Sequence, residues 1–311
     1  MEKARPFDFA VASDWEYDHD FIRLLEEASH GMGLTTFIVT PDNLQETMKD
    51  VAEGGLRFGY LFDRASDTSP EFLGLQQLLT DSGVRVFEPL ESLRWASDKA
   101  TMHLEFISRG LHTPHTIILP PYDTEAVCAL SVEDLAHLGR NFIIKPANTT
   151  GGGIGVVHGA ETLQDVLKAR QEYQQDKYLL QEIVTPLERD GRRFWFRGFY
   201  SCGLVQCAWW NDLTHQYQTL SPDEIEQYTL QPLFPMVHQI AEICKLYFFS
   251  TEIAVTEDQK FIVVDYVNES CDMRLQSKNR DGVPDDIVRN SAAQIAGFMK
   301  EQINGKTAFA E

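Results

Sequence analysis

The side chains best suited to chemistry lie in two stretches. The first is Phe142-Ile143-Ile144-Lys145-Pro146, where Lys145 is the only charge at the end of an apolar run, followed by Gly151-Gly152-Gly153-Ile154-Gly155. A lysine so placed either snorkels to solvent or holds an anion. Clustered glycines let backbone amides approach phosphate oxygens, because no Cβ blocks the approach or the positive φ angles it needs. The nearby loop therefore favours the anion. The residues after it, Val156-Val157-His158, read as a strand, so the loop joins two antiparallel strands instead of opening a helix. The second stretch is a late hairpin carrying Glu252, Asp265 and Asn268 among apolar neighbours. Oxygens gathered at one hairpin end suit Mg²⁺, a hard cation; the alternative is a pair of edge acids facing water. Alternation along a straight strand sends Asp265 and Asn268 to opposite faces. Both can serve one ion only if the strand bulges or turns at Tyr266-Val267.

Arg193, Trp195 and Arg197 alternate onto one strand face, and Arg274 follows the hairpin in Cys271-Asp272-Met273-Arg274. A planar guanidinium suits a carboxylate or an acyl phosphate, which makes Arg197 and Arg274 the substrate-side candidates, with surface salt bridging as the alternative. Other groupings read as structure. Asp18-His19-Asp20 introduces a helix whose dipole the acids complement. His112 and His115 flank the break at Pro114 and read as surface residues, and Trp209-Trp210 reads as core. Gly305-Lys306-Thr307 lacks the leading glycine and preceding strand of a phosphate loop. No Ser–His–Asp or Cys–His arrangement stands out.

These residues need a scaffold, and the pattern supplies one. Up to about residue 95, strand-like runs (Phe7–Ala12, Thr36–Val39, Tyr60–Phe62, Val84–Phe87) alternate with helical stripes through Phe21, Leu24, Leu25 and Ala28, and through Phe72, Leu75, Leu78 and Leu79. Such alternation predicts a parallel sheet covered by helices. Ser97-Asp98 caps a helix running to about Leu111. Strands are expected at Phe142–Lys145, Val156–His158 and Tyr178–Val184, as a pair within Phe194–Val205, and in the hairpin Ser250–Val255 with Phe261–Val267. Helices are expected from Thr162 to about Tyr173 and over Leu233–Leu246. An amphipathic helix through Ile287, Ala292, Ile295 and Met299 closes the chain.

The chain has 311 residues, with 27 Lys+Arg against 47 Asp+Glu, for a formal charge of −20. That field repels a phosphate polyanion, and the longest basic run is only Arg192-Arg193, so no nucleic-acid partner is expected. The five cysteines are odd in number and form no CxxC pair, which fits buried thiols in a reducing compartment. No window approaches a membrane span, and Met1–Pro6 leads straight into a strand-like run. A cytoplasmic protein with no membrane partner is the expectation.

Together these pieces resemble the ATP-grasp superfamily over most of the chain. Ser97-Asp98-Lys99 with Gly110-Leu111-His112-Thr113-Pro114-His115-Thr116 looks like the family's opening motif. Ile144-Lys145-Pro146 and Gly151–Gly155 look like its lysine strand and phosphate loop. Leu180-Gln181-Glu182-Ile183 looks like its adenine hinge, and Asp265-Tyr266-Val267-Asn268 resembles its terminal metal motif. The segment from Gly83 to Thr116 is most similar to the branch of carboxylate–amine and carboxylate–thiol ligases that includes glutathione synthetase. The resemblance implies an α/β plus α+β architecture: a Rossmann-like pre-ATP-grasp domain (1–95), a lobe with the glycine-rich loop (96–184) and a lobe with the metal site (185–311). ATP would lie between the lobes. Lys99 and Lys145 would contact phosphates or the adenine edge, and Gly151, Gly152, Gly153 and Gly155 would close over the β- and γ-phosphates. Gln181, Glu182, Ile183 and Val184 would pair with adenine, and Glu188 would hold the ribose. Glu252, Asp265 and Asn268 would bind Mg²⁺ or Mn²⁺. Where the family has a glutamate two positions before its asparagine, this chain has Tyr266.

The activity implied is ATP-dependent ligation of a small-molecule or peptide carboxylate to an amine or thiol through an acyl phosphate, in a chain that could pair as a homodimer. Such chemistry rests on positioning and charge neutralisation more than on a protein nucleophile. A small-molecule kinase of the same fold, or a nucleotide-binding regulator without catalysis, are the competing expectations. The acidic composition argues against the basic cluster that a polyol-phosphate kinase would need.

Overall fold

The computed structural model describes residues 5–127, 129–148 and 153–305. Cys128, Gly151 and Gly152 lie outside the described residues. The chain opens with β1 (Arg5–Ser13), α1 (His19–Gly31), β2 (Thr36–Val39), α2 (Leu44–Ala52), β3 (Leu56–Arg64), α3 (Leu73–Asp81) and β4 (Arg85–Phe87). The four strands form a parallel sheet in the order β2-β1-β3-β4. Phe9 to Ala12 is fully buried because both sheet faces are covered. Ala10 and Ala12 pack with residues of α2 and α3, whereas Phe9 and Val11 pack with α1 and with α10 (Asp285–Ile303), far along the chain.

The middle of the chain contributes α4 (Leu90–Ser97), α5 (Lys99–Ser108), β5 (Thr116–Leu119), α6 (Val132–Leu138), β6 (Phe142–Pro146), β7 (Val157–Ala160), α7 (Leu163–Ala169) and β8 (Tyr178–Glu182). Asp98 caps α5 as its sequence suggests, its carboxylate accepting from the amides of Ala100 (3.0 Å) and Thr101 (3.2 Å). The strands make an antiparallel sheet, β5-β8-β6-β7. Phe142, Ile144, Tyr178 and Leu180 bury one face with residues of α6 and α7. Alternation leaves Lys145, Leu179 and Gln181 on the other face.

The third part holds β9 (Glu188–Arg189), β10 (Arg192–Arg193), β11 (Trp195–Ser201), β12 (Leu204–Asn211), β13 (Gln216–Thr219), α8 (Pro222–Gln227), α9 (Leu233–Cys244), β14 (Phe248–Val255) and β15 (Phe261–Asn268). Strands β13-β12-β11-β14-β15 form an antiparallel sheet. Phe196, Tyr200, Phe249, Ile253 and Tyr266 pack on α5 and α9 to form the largest core. On the other face, Phe199, Ala208 and Phe248 join the core shared by α1, α10 and the parallel sheet.

Several elements differ from the sequence reading. Trp209-Trp210, read as core, lies inside β12, where Trp209 pairs with Phe196 and is buried. The helix expected from Thr162 to Tyr173 ends at Ala169; Thr162 and Asp165 close a capping box at its start. Helices α2, α4, α6 and α8 and strands β5 and β13 are further elements that the sequence reading did not place. Asp18 does more than complement a helix dipole. It lies buried against Arg64 with two bonds of 2.6 and 2.8 Å, and Arg64 also donates to the carbonyl of Cys271. Cys202, Cys207, Cys244 and Cys271 are buried free thiols, as composition suggested. Among the described residues, no helix is long and apolar enough to cross a membrane.

Candidate active site

Some of the polar side chains singled out in the sequence lie where the faces of the two antiparallel sheets approach. Lys145, next to last in β6, is buried, and its Nζ lies 3.4 Å from the carbonyl oxygen of Val264 in β15 and 5.2 Å from the Tyr266 ring. Burial pushes the Lys145 ammonium down to about 8. Asp265 and Glu252 pull it back up, and Lys99 pushes it further down. These four groups share one electrostatic neighbourhood although they come from three segments of the chain.

The register of β15 resolves the spacing problem. Ser250 faces Asn268 and Glu252 faces Asp265, so two residues of β14 span the same length as three of β15. One extra residue bulges at Tyr266-Val267, and a second shift between Glu252 and Ile253 adds another on the other side of Asp265. Directly opposed residues of an antiparallel pair share a face, so Glu252, Asp265 and Asn268 stand on one side of the sheet. Tyr266 stands on the other, fully buried.

Arg197 faces Glu252 across β11 and β14, and the two form a buried ion pair. Arg197 Nε also donates to Ser250 Oγ at 3.2 Å, and Trp195 Nε1 donates to Glu252 Oε2 at 2.9 Å. Burial raises the Glu252 pKa, Arg197 lowers it, and Asp265 raises it again. A cation beside Glu252 would relieve the effect of the Asp265 charge on it. Among the described residues, no group of three or more His, Cys, Asp or Glu side chains is arranged to hold a metal. The donor set on offer is two carboxylates and one amide.

Other expected residues have definite partners. Gln181 is buried, and its Nε2 donates to Thr116 Oγ1 (3.0 Å) and to the Tyr266 hydroxyl (2.9 Å). Glu182 accepts from the His115 amide at 2.7 Å, and its own amide donates to the His115 carbonyl at 3.0 Å. Ile183 is half exposed and Val184 buried. Glu188 lies at the surface, accepting from Arg193 at 2.9 Å, while Arg193 also grips Asp212. The amide of Lys99 donates to the carbonyl of Ala147 at 3.1 Å, tying the start of α5 to the chain leaving β6. Beyond it, Asn148 is anchored to Asp176 by two bonds of 2.8 and 3.0 Å. Gly153 and Gly155 have φ of +80° and +75°, and a Cβ on Gly155 would come within 2.7 Å of the Tyr173 ring. Glycine is required at 155 both by conformation and by space.

Arg274, expected on the substrate side, binds Asp272 through Nε and Nη2 and Asp281 through Nη1 and Nη2. Its donors are spent within its own loop. That pairing was visible in the sequence as Asp272-x-Arg274 and was outweighed by proximity to the hairpin.

One network had no sequence signal. His103 Nδ1 lies 2.6 Å from the Tyr266 hydroxyl. Burial, then the charges of Lys145 and His115, push His103 down to about 4, so the ring is neutral at pH 7. The Tyr266 hydroxyl thus accepts from Gln181 and shares a second hydrogen bond with His103 Nδ1. The chain His103–Tyr266–Gln181–Thr116 crosses from α5 through β15 to β8 and β5, and fixes one antiparallel sheet against the other. Glu269, beside Asn268, was also missed; burial raises its carboxyl, with Lys99 acting in the opposite sense.

No protein-family model matches the sequence, and no curated protein matches it. Solved structures do. A RimK-domain ATP-grasp protein from Sphaerobacter thermophilus superposes with a TM-score of 0.64 at 20% identity, over 94% of this chain and 98% of that one. A D-cycloserine synthetase gives 0.62 at 16% identity over 95% and 99%. The ATP complex of D-alanine–D-alanine ligase from Bacillus anthracis gives 0.63 at 13% identity over 98% and 100%. The chain has the ATP-grasp fold.

Proposed function

We propose that the chain is an ATP- and Mg²⁺-dependent ligase that joins a carboxylate to an amine or thiol. The observation that carries this reading is that Lys145 reaches from one sheet to the Val264 carbonyl of the other, next to Asp265, where the charges of Asp265 and Glu252 act on it, with the pairing of β14 and β15 setting Asn268 opposite Ser250. Segments 1–95, 96–184 and 185–311 are its pre-ATP-grasp domain and two lobes. Lys145 and Lys99 are the phosphate contacts, with the loop through Gly153 and Gly155 above them, and residues 181–184 form the adenine hinge. Glu252, Asp265 and Asn268 fit a hard dication, which would offset the mutual repulsion of the two acids. Bound ATP would supply the phosphoryl group that activates the carboxylate, and the metal would neutralise charge on its β- and γ-oxygens. Arg197 holds Glu252 in place from behind, acting as a positioning residue more than a substrate contact. The buried His103–Tyr266–Gln181 chain sets the spacing between the sheets, and so the reach of Lys145. Arg274 serves to brace its own loop.

A nucleotide-binding regulator is the second reading. It is favoured by Glu252, whose two oxygens already accept from Arg197 and Trp195. The first test is common to both readings. A charge-assisted contact is worth about 1.5–3 kcal/mol, so Lys145→Ala should weaken ATP binding by roughly ten- to a hundred-fold in calorimetry. Unchanged affinity in a folded Lys145→Ala protein removes Lys145 from the nucleotide site.

A further inference from the structure

Three neighbouring strands set a row of charges on one face of their sheet. Arg197 in β11 faces Glu252 in β14, and Glu252 faces Asp265 in β15. Opposed residues of antiparallel strands stand about 5 Å apart at Cβ, so the three side chains are lateral neighbours. Arg197 and Glu252 form an ion pair whose side chains are 9% and 16% exposed. The pair is held from several sides. Arg197 Nε donates to Ser250 Oγ at 3.2 Å, and Trp195 Nε1 donates to Glu252 Oε2 at 2.9 Å. The guanidinium carbon lies 5.6 Å from the Trp210 ring centre.

Burial opposes the charge of Arg197, while Tyr217, Glu252 and Asp265 sustain it, so the guanidinium serves both carboxylates of the row. Lys145 approaches from the other sheet, its Nζ 3.4 Å from the carbonyl oxygen of Val264, the residue before Asp265. Arg197 and Lys145 thus bring two positive charges to two carboxylates. A hard dication needs anionic oxygens that no other cation has already neutralised. This face offers few of them, since among the described residues no group of three or more His, Cys, Asp or Glu side chains is arranged to hold a metal. A guanidinium in contact with one of the two carboxylates also repels a second cation brought to the same place.

We propose that Arg197 is a built-in substitute for the charge of the metal, a role that rests on the ATP site proposed above. It neutralises Glu252 while nucleotide is absent and keeps the protein from taking up a dication alone. Metal entry thereby becomes conditional on the phosphate oxygens that arrive with ATP. A triphosphate brings the anionic oxygens that the row lacks, so nucleotide and metal each raise the affinity for the other.

Mn²⁺ alone is the first probe, followed by electron paramagnetic resonance and calorimetry on the full chain without nucleotide. The wild type should show no binding below millimolar Mn²⁺. Arg197→Gln can still donate to Glu252 but carries no charge, and it should bind Mn²⁺ more tightly by about tenfold or more. Arg197→Lys should behave as the wild type. Damage to the fold would weaken metal binding, so a gain separates this role from a merely structural one. The gain should vanish when Asp265→Asn is added to Arg197→Gln. Glu252 left without a counter-charge could keep Arg197→Gln from folding; Mn²⁺ present during refolding should then restore it, and no rescue overturns the proposal. It is overturned equally if the nucleotide-free wild type takes Mn²⁺ at micromolar concentration, if Arg197→Gln binds no more tightly than the wild type, or if the gain survives Asp265→Asn. A non-hydrolysable ATP analogue should bind the wild type about tenfold better or more with Mn²⁺ than with EDTA. Equal binding in both overturns the proposal alone, whereas no binding in either overturns the ATP site beneath it as well.

Discussion

Glu88 follows β4 and is 4% exposed. Its Oε1 accepts from the amides of Tyr247 (2.6 Å) and Phe248 (2.9 Å), while Oε2 is buried with no partner among the described residues. Burial pushes the carboxyl up from 4.5 to about 8, against the opposing pull of the two amides. The folded protein therefore keeps a proton that the unfolded chain gives up near pH 4.5. Stability from this group is complete below pH 4.5 and is lost as pH rises to about 8, at about 1.4 kcal/mol per pH unit. Between pH 5 and pH 8 the loss is about 4 kcal/mol, an upper figure because local relaxation would relieve part of it. Glu88→Gln keeps an acceptor for both amides and cannot ionise. Urea unfolding of both proteins at pH 5, 6, 7 and 8 should show the variant gaining on the wild type throughout that range. Parallel profiles would refute the assignment of a protonated Glu88.

Two further substitutions test the framework around the site. Removing one partner of the buried Asp18–Arg64 pair, as in Arg64→Ala, should cost about 3–5 kcal/mol in urea unfolding, and Asp18→Ala with Arg64→Ala less than the two single changes combined; an exposed-pair value below about 1 kcal/mol would contradict their burial. Tyr266→Phe leaves His103 Nδ1 without its partner and Gln181 with Thr116 alone, so it should lower stability by about 1–3 kcal/mol and weaken ATP binding through Lys145. Unchanged unfolding and binding would remove the network from the account.

Features whose signals are local were legible in the sequence. Lys145 at the end of an apolar run, the glycines after it, and the Asp98 cap all lie within a few residues of what gives them meaning. The parallel sheet was also legible, because Phe9–Ala12 and Thr36–Val39 are continuous apolar runs of the kind that a doubly covered strand requires. Contacts between distant residues were not. His103 and Tyr266 are 163 positions apart, and each has an ordinary core reading alone. Asp18 was read from its neighbours, whereas its partner Arg64 lies on another strand. The Asp265–Asn268 spacing posed the right question, but the answer depended on the pairing of β14 with β15, which alternation within one strand cannot give. Arg274 pairs with Asp272 two residues away, the salt bridging that the sequence also allowed for it.

The ligase reading stands most directly on ADP formation by the wild type and by Asp265→Asn, with ATP, Mg²⁺ and pools of amino acids and small acids, beside ATP binding measured on the same samples. Phosphoryl transfer needs cations at the β- and γ-oxygens, whereas binding can persist on lysines and backbone amides. The wild type should release ADP and phosphate together when the pool contains its substrates. Asp265→Asn should bind ATP within about tenfold, roughly 1.4 kcal/mol, and form no ADP. Asn268→Ala should lose turnover as well, because the bulge sets it on the same face. A wild type that binds ATP but releases no ADP with any pool, and an Asp265→Asn protein with unaltered metal dependence, would contradict the ligase and leave a nucleotide-binding regulator.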